Sequence, residues 1–261
     1  MNNVRGRVGF RRTPRLQDWI LKLGIQSLLK FMSAQSVEQF IRMLKKSPSG
    51  AVFNPWWQDS ENDIDPNAPG TRRRQLRAYL CERLGKARLA VIGEALGYRG
   101  GHFSGIPMTS ERILLGKKKV SGIEPAQIVL SITPRRTSKP QNCREGFSEP
   151  TATIVWSTLL KLGLPPEQFV LWNAFPWHSF DSRRGMLSNR TPTKPERSAG
   201  LPVLKAFLDL FPCDEIVALG NVAASQLEEL DAKVRPVRHP ASGGARLFRE
   251  QIAKIVKELR S

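Results

Sequence analysis

The chain has 261 residues, 40% of them hydrophobic, so it can bury one substantial core but is short for two complete domains. It carries 41 Lys and Arg against 23 Asp and Glu, a formal net charge of +18. A positive potential of this size favours a polynucleotide partner, with an anionic membrane surface, a ribosomal surface or simple solubility as the alternatives.

Cysteine usage and the lack of long apolar runs indicate the compartment. Cys81, Cys143 and Cys213 are widely separated, which argues against a disulfide framework or a zinc knuckle and fits a cytoplasmic location. No apolar run approaches the roughly 20 residues of a membrane span, so we expect no membrane partner. Five arginines precede the first acidic residue, Asp18. They predict a basic arm against phosphates or a disordered tail, with a transit peptide as a further alternative.

Helical patterns fill the N-terminal third. Residues 19–32 have apolar positions at helical spacing, and a capping box at 36–39 predicts the start of a second helix. Residues 47–70 read as a long irregular connection, and 72–85 as a helix with an outward arginine cluster. We expect a basic arm and helices over 1–46 and an α/β domain over 47–261. The predicted inward stripes are Val37, Phe40, Ile41 and Leu44, then Leu76, Tyr79, Leu80 and Leu84.

From Ala87 onward the pattern changes to short continuous apolar runs that end in glycine or polar loops, as in buried parallel strands. The four runs lie in ARLAVIGEALG, EQFVLWNAFPW, DEIVALGN and AKVRPVRHP. A crossover helix over TATIVWSTLLKLGL ends at Gly163, and a helix closes the chain. This alternation predicts the α/β class: one domain with a central four-stranded, mainly parallel sheet flanked by helices, plus an N-terminal helical extension.

Ligands bind such sheets at the carboxyl ends of the strands, and the segments there resemble the uracil-DNA glycosylase superfamily. In that family the first strand ends in a G-E-A-P-G-like motif, the second in an asparagine that reads the base, and the last in H-P-S. Here GEALG, NAF and HPAS occur in that order, and NRTPT is similar to a segment of the thermostable iron–sulfur branch. The resemblance covers Arg88 to about Gln251.

The resemblance implies a monofunctional DNA-repair glycosylase. Such an enzyme flips uracil out of single- or double-stranded DNA and hydrolyses its N-glycosidic bond, leaving an abasic site. The alternatives are an inactive relative that grips damaged DNA, a glycosylase for another deaminated base, and an unrelated nucleotide-binding or hydrolytic α/β protein. Three scattered cysteines cannot supply the four of the iron–sulfur branch, so we predict no cluster, no metal and no organic cofactor. We expect a monomer.

Three residues are the candidates for chemistry, because the reaction makes a cationic sugar and a base anion. His239 is suited to donate a hydrogen bond to the base oxygen that gains charge, or else caps a loop. Asn173 offers both a donor and an acceptor to the N3–H and O4 edge of uracil, or else forms a turn. Glu94 is expected to orient water or offset the sugar charge, or else to bind loop amides.

Further residues of the same loops are expected to contact the substrate. Gly93 would allow close approach of the base, and Phe103 or Met108 would stack on the extruded ring, although both are equally compatible with core positions. Tyr98 and His178 complete the predicted substrate contacts. The predicted phosphate contacts flank the strand ends, with a solvated charged loop as the alternative, and Arg246 is also a candidate to fill the gap left by the flipped base. These DNA-binding candidates are Arg135, Arg136, Lys139, Ser242 and Arg246.

Overall fold

Every apolar run that the sequence places in the central sheet forms a strand in the computed structural model, which describes residues 34–260. The predicted basic arm and the helix over 19–32 lie outside the described residues. The strands are β1 (Val52–Phe53), β2 (Leu89–Ala95), β3 (Phe169–Phe175), β4 (His178–Ser179), β5 (Glu215–Leu219) and β6 (Arg235–Val237). The helices are α1 (34–43), α2 (Ala68–Arg83), α3 (Gly101–Ser104), α4 (Glu111–Leu114), α5 (Pro125–Ile128), α6 (Pro150–Lys161), α7 (Lys194–Leu210), α8 (Asn221–Glu228) and α9 (Ala245–Arg260).

The central sheet is parallel, with strand order β3-β2-β5-β6, and β1 and β4 form a separate antiparallel pair. The predicted α/β class with a four-stranded parallel sheet is therefore confirmed. Because β2 and β3 pair in register, Gly93 lies opposite Asn173 at their carboxyl ends. The register places the first motif beside the second.

Both faces of β3 are covered, which explains why its sequence is apolar at every position except Asn173. On one face Phe169 packs edge-on against Trp156 of α6, with ring centroids 5.0 Å apart. On the other face Trp172 stacks on Phe207 of α7 at 4.8 Å and meets Phe40 of α1 at 5.1 Å. Side chains alternate along a strand, so the position after Trp172 falls on the α6 face at the strand's end. That position is Asn173.

Two local expectations need correction. Ser36 lies inside α1 and does not begin it, although the predicted stripe of that helix is buried. The arginines of α2 do not all face outward, because Arg72 and Arg83 are buried. Arg72 forms a two-pronged ion pair with Asp63, at 2.7 and 2.9 Å, which compensates its lost hydration. Arg83 donates to the carbonyls of three residues: Tyr79, Gln127 and Phe169.

Helix α7 was not predicted from the sequence. Its start carries a capping box, in which the Glu196 amide donates to Thr193 and the Glu196 side chain accepts from the Thr193 amide. The predicted boundary at residue 46 stays a prediction. We note that α1 contributes Val37, Phe40 and Ile41 to the same hydrophobic core as the sheet.

Candidate active site

A cleft of about 380 Å³ opens at the carboxyl ends of β2, β3 and β6. It falls within the size range of small-ligand pockets. Five of the residues predicted from sequence line it together, although they come from four separate parts of the chain. They are Gly93, Glu94, Met108, Asn173 and His239.

The Asn173 amide is the most deeply placed polar group of the cleft, since the residue is only 2% exposed. Its Oδ1 atom is buried and has no hydrogen-bond partner among residues 34–260. A buried acceptor without a donor costs free energy, of the order of 1–3 kcal/mol, unless a ligand supplies the donor. The structure thus leaves the acceptor of an amide that lines the cleft unpaired among residues 34–260, at a depth that solvent does not reach.

Gly93 makes room for this amide. A Cβ atom placed on Gly93 would lie 2.8 Å from Asn173 Nδ2 and 3.1 Å from Met108 Sδ. Met108 has a φ of 46°, a left-handed conformation that is uncommon for a residue with a long side chain. Its side chain lies against Gly93 and borders the cleft. Its contact with the base stays a prediction.

His239 follows β6 and is half-buried. The Ala241 amide donates to its Nδ1 atom at 3.1 Å, so the neutral ring carries its proton on Nε2. Burial lowers the pKa of His239, opposed by the nearby Glu94 carboxylate and assisted by Arg238. At neutral pH the ring is therefore an uncharged donor through Nε2–H.

Glu94 lies beside His239 and borders two depressions. It lines the cleft, and with His239 it also lines a neighbouring hollow at the ends of β5 and β6. Its effect on the pKa of His239 shows that the two side chains interact electrostatically. A carboxylate in this place is suited to offset positive charge on a bound sugar.

Three predicted contact residues lie elsewhere. Phe103 is fully buried and stacks on Phe147 with centroids 4.6 Å apart, so it is a core residue and not a stacking platform for the base. Tyr98 does not line the cleft, and its hydroxyl accepts a hydrogen bond from Arg99. Its backbone amide donates to Asn189 Oδ1 at 3.0 Å.

His178 is fully buried and does not line the cleft. Its Nε2 atom lies 2.7 Å from the Ser188 carbonyl oxygen, which can only accept, so Nε2 carries the proton. Its Nδ1 atom then accepts from Nδ1–H of His102, 2.9 Å away. Burial lowers the pKa of His178 to about 4, and it lowers that of His102 well below its ordinary value, so this pair is neutral. His178 does not line the cleft in this structure, and its ring holds the Ser188 carbonyl.

Sequence reasoning missed several lining residues. The segment after Ser188 contributes Asn189, Arg190 and Thr191, part of the NRTPT segment that carried the family resemblance. Arg190 is held by Glu196 through two hydrogen bonds of 2.6 and 2.7 Å. The other missed residues, which no motif indicated, are Glu149 and Thr151 at the start of α6.

The predicted phosphate contacts divide into two groups. Arg135, Lys139, Ser242 and Arg246 are exposed, and Ser242 follows His239 closely, with a left-handed φ of 51°. Arg246 pairs with Glu250 of the same helix at 2.6 Å. Arg136 differs, because its half-buried guanidinium donates to the carbonyls of Ser138, Lys139, Cys143 and Arg144. Arg136 therefore holds its own loop together.

Two further properties concern the part of the chain that the structure describes. None of its helices combines the length and the apolar character needed to cross a membrane. It also contains no group of three or more His, Cys, Asp or Glu side chains that could hold a metal ion.

The comparison with protein families decides the relationship. The family model described as the Uracil DNA glycosylase superfamily matches residues 83–260, well over half of the chain. The chain belongs to this superfamily. A search of curated proteins found no match. Among solved structures, the crystal structure of wild-type SMUG2 from Pedobacter heparinus is similar, with a TM-score of 0.58 and 15% identity, over 87% of this chain and 98% of that one. At this identity the likeness shows the fold alone. The family supports a DNA glycosylase of base excision repair, with DNA as its partner.

Proposed function

We propose that the chain flips uracil out of DNA into the cleft and hydrolyses the bond between the base and C1′ of the sugar. The observation that carries this proposal is the unpartnered Oδ1 atom of Asn173, buried in the same cleft as the neutral Nε2–H donor of His239. One group would recognise the base, and the other would stabilise it as it leaves.

Recognition follows from the pattern of donors and acceptors on the amide. Uracil presents N3–H as a donor and O4 as an acceptor, so one carboxamide satisfies both through Oδ1 and Nδ2. Cytosine presents an acceptor and a donor in the same two places, so it would face like against like. Gly93 lies against the Asn173 amide, and rejection of cytosine requires the amide to keep the orientation that presents Oδ1 to N3–H and Nδ2 to O4.

Catalysis would use a hydrogen-bond donor and a carboxylate that the fold already positions in the cleft. As the C1′–N bond breaks, its electron pair moves onto the base, and the charge reaches the ring oxygens. A neutral imidazole donor at that oxygen stabilises the anion without paying for reorganisation of water, and one such donor contributes about 10²–10³ in rate. The Glu94 carboxylate beside His239 would offset the positive sugar.

Incubation with a labelled uracil-containing oligonucleotide tests this proposal. Purified protein is mixed with single- and double-stranded substrates in the presence of EDTA, and abasic sites are then cleaved with alkali. Strand breakage at uracil, absent with cytosine at the same position, is the expected result. Tight binding without breakage would indicate a damaged-DNA-binding protein, and breakage only at another deaminated base would overturn the proposed specificity.

A further inference from the structure

Glu149 is a half-buried residue whose carboxyl group lines the cleft and has no part in the proposed function. It immediately precedes α6, in the N-cap position, but its side chain makes no capping hydrogen bond to the first turn. Instead it lines the cleft together with Gly97 and Asn189. Helix capping, the ordinary structural role at this position, therefore does not account for the carboxyl group.

One carboxyl oxygen is sealed from water. Glu149 Oε2 is buried, and no donor within residues 34–260 reaches it. It lies so close to Gly100 that a Cβ atom there would overlap it, so any larger residue at that position would displace the carboxyl group. Since the carboxyl borders the cleft while Oε2 is sealed, Oε1 is the oxygen that it presents to a bound substrate.

Burial without a donor makes this carboxyl unusually basic. Desolvation raises the pKa of Glu149 to about 7. The charged or titratable side chains that share the cleft are Glu94, Arg190 and His239, and Arg190 is already bound by Glu196. Lys118 Nζ donates a hydrogen bond to the hydroxyl of Ser148, the residue before Glu149, and not to Glu149 itself. A general base works best when its pKa lies near the working pH.

We propose that Glu149 is the general base for the attacking water, an inference that rests on the proposed hydrolysis of the glycosidic bond. The water proton passes to Oε1, and the water oxygen forms a bond to C1′. The C1′–N bond breaks, and its electron pair leaves with the base, where His239 Nε2–H stabilises it. Glu94, next to His239, then offsets the positive charge of the sugar and does not accept the proton of the attacking water.

The test is the pH dependence of base release under single-turnover conditions, between about pH 5 and 9, because a base must be ionised to act. In the parent protein the rate should rise with pH and level off above a midpoint near the Glu149 pKa of about 7. Glu149→Gln should lose this limb and release base about 10²-fold more slowly. Glu149→Asp keeps a carboxyl but withdraws it from Gly100, so a limb should remain with its midpoint at lower pH.

Glu145→Gln is the matched control, because it removes the same charge from an exposed position on the same connection. It should keep the parent rate and profile. Oligonucleotide affinity and thermal unfolding of each variant identify misfolding. As a second readout, Glu149 binds its proton more tightly when folded, so its contribution to stability falls as the pH rises from 4.5 through about 7. The unfolding free energy of the parent protein should therefore fall relative to that of Glu149→Gln as the pH rises across that window.

The outcomes separate the two proposals. A parent protein that releases no base would overturn the proposed function and this inference together. An active parent with an unchanged rate and pH limb in Glu149→Gln would overturn the role of Glu149 alone. A parent rate that falls as the pH rises through 7 would also overturn it, because that profile belongs to an acid.

Discussion

Replacement of Gly93 by Ala tests whether the close approach of β2 to Asn173 matters for activity. The new Cβ atom would lie 2.8 Å from Asn173 Nδ2 and 3.1 Å from Met108 Sδ. Ordinary van der Waals contact begins near ~3.5 Å, so the amide must move by about 0.7 Å or the strands must separate. A misplacement of about 1 Å costs on the order of 10²-fold in rate. We expect base release to slow by about 10- to 10²-fold.

The fold should survive this change. Gly93 does not have a positive φ, so alanine fits the backbone, and overpacking of this kind costs about 1–3 kcal/mol. Base release is measured in single turnover, with unfolding by denaturant and affinity for abasic DNA measured in parallel. Gly70→Ala is the control, because the nearest atoms lie 3.7 Å from its Cβ position. Full activity in Gly93→Ala, with unchanged stability, would show that base release does not depend on the position of the Asn173 amide that Gly93 allows.

Four further substitutions address recognition, catalysis, DNA affinity and stability. Asn173→Asp removes the donor of the amide, so uracil release should collapse and rejection of cytosine should weaken, as measured by single-turnover release of both bases. His239→Ala should slow uracil release by about 10²–10³-fold with DNA affinity retained, and an unchanged rate would contradict its role. Arg135→Ala should reduce the slope of log affinity against log salt by about 0.9, whereas Arg136→Ala should mainly lower the unfolding midpoint.

The sheet and half of the site followed from local patterns in the sequence. A run such as FVLW is apolar at every position because β3 is covered on both faces, and the polar residue after it must emerge at the strand's end. The same reasoning placed Glu94 and His239 at the ends of their strands. Parallel pairing then brings these ends to one edge, so residues far apart in sequence meet in one cleft.

What sequence reasoning missed depends on contacts between distant segments. Glu149 belongs to no periodic pattern, and its importance comes from Gly100, against which it is buried. Arg72 is buried because Asp63 is within reach to pair with it, and charge alone gives no sign of such a partner. Phe103 and His178 looked like site residues because they stand near the motifs, but their partners lie in the core.

The ionisable groups in and near the cleft have pKa values shifted in opposite directions, so they change charge in different pH ranges. Burial lowers the pKa values of His102 and His178 below the ordinary histidine value of 6.5. The neutral pair therefore stabilises the fold at pH values above 6.5, and this stabilisation is lost as the pH falls, through about 4 in the case of His178. Glu149 has a raised pKa, so its charge changes near 7, where the fold retains the contribution of the histidines. A rise in activity with pH near 7 is therefore the effect expected of Glu149, whereas loss of stability at acid pH is expected both of the histidine pair and of Glu196, whose pKa is lowered mainly by its hydrogen bonds with Arg190.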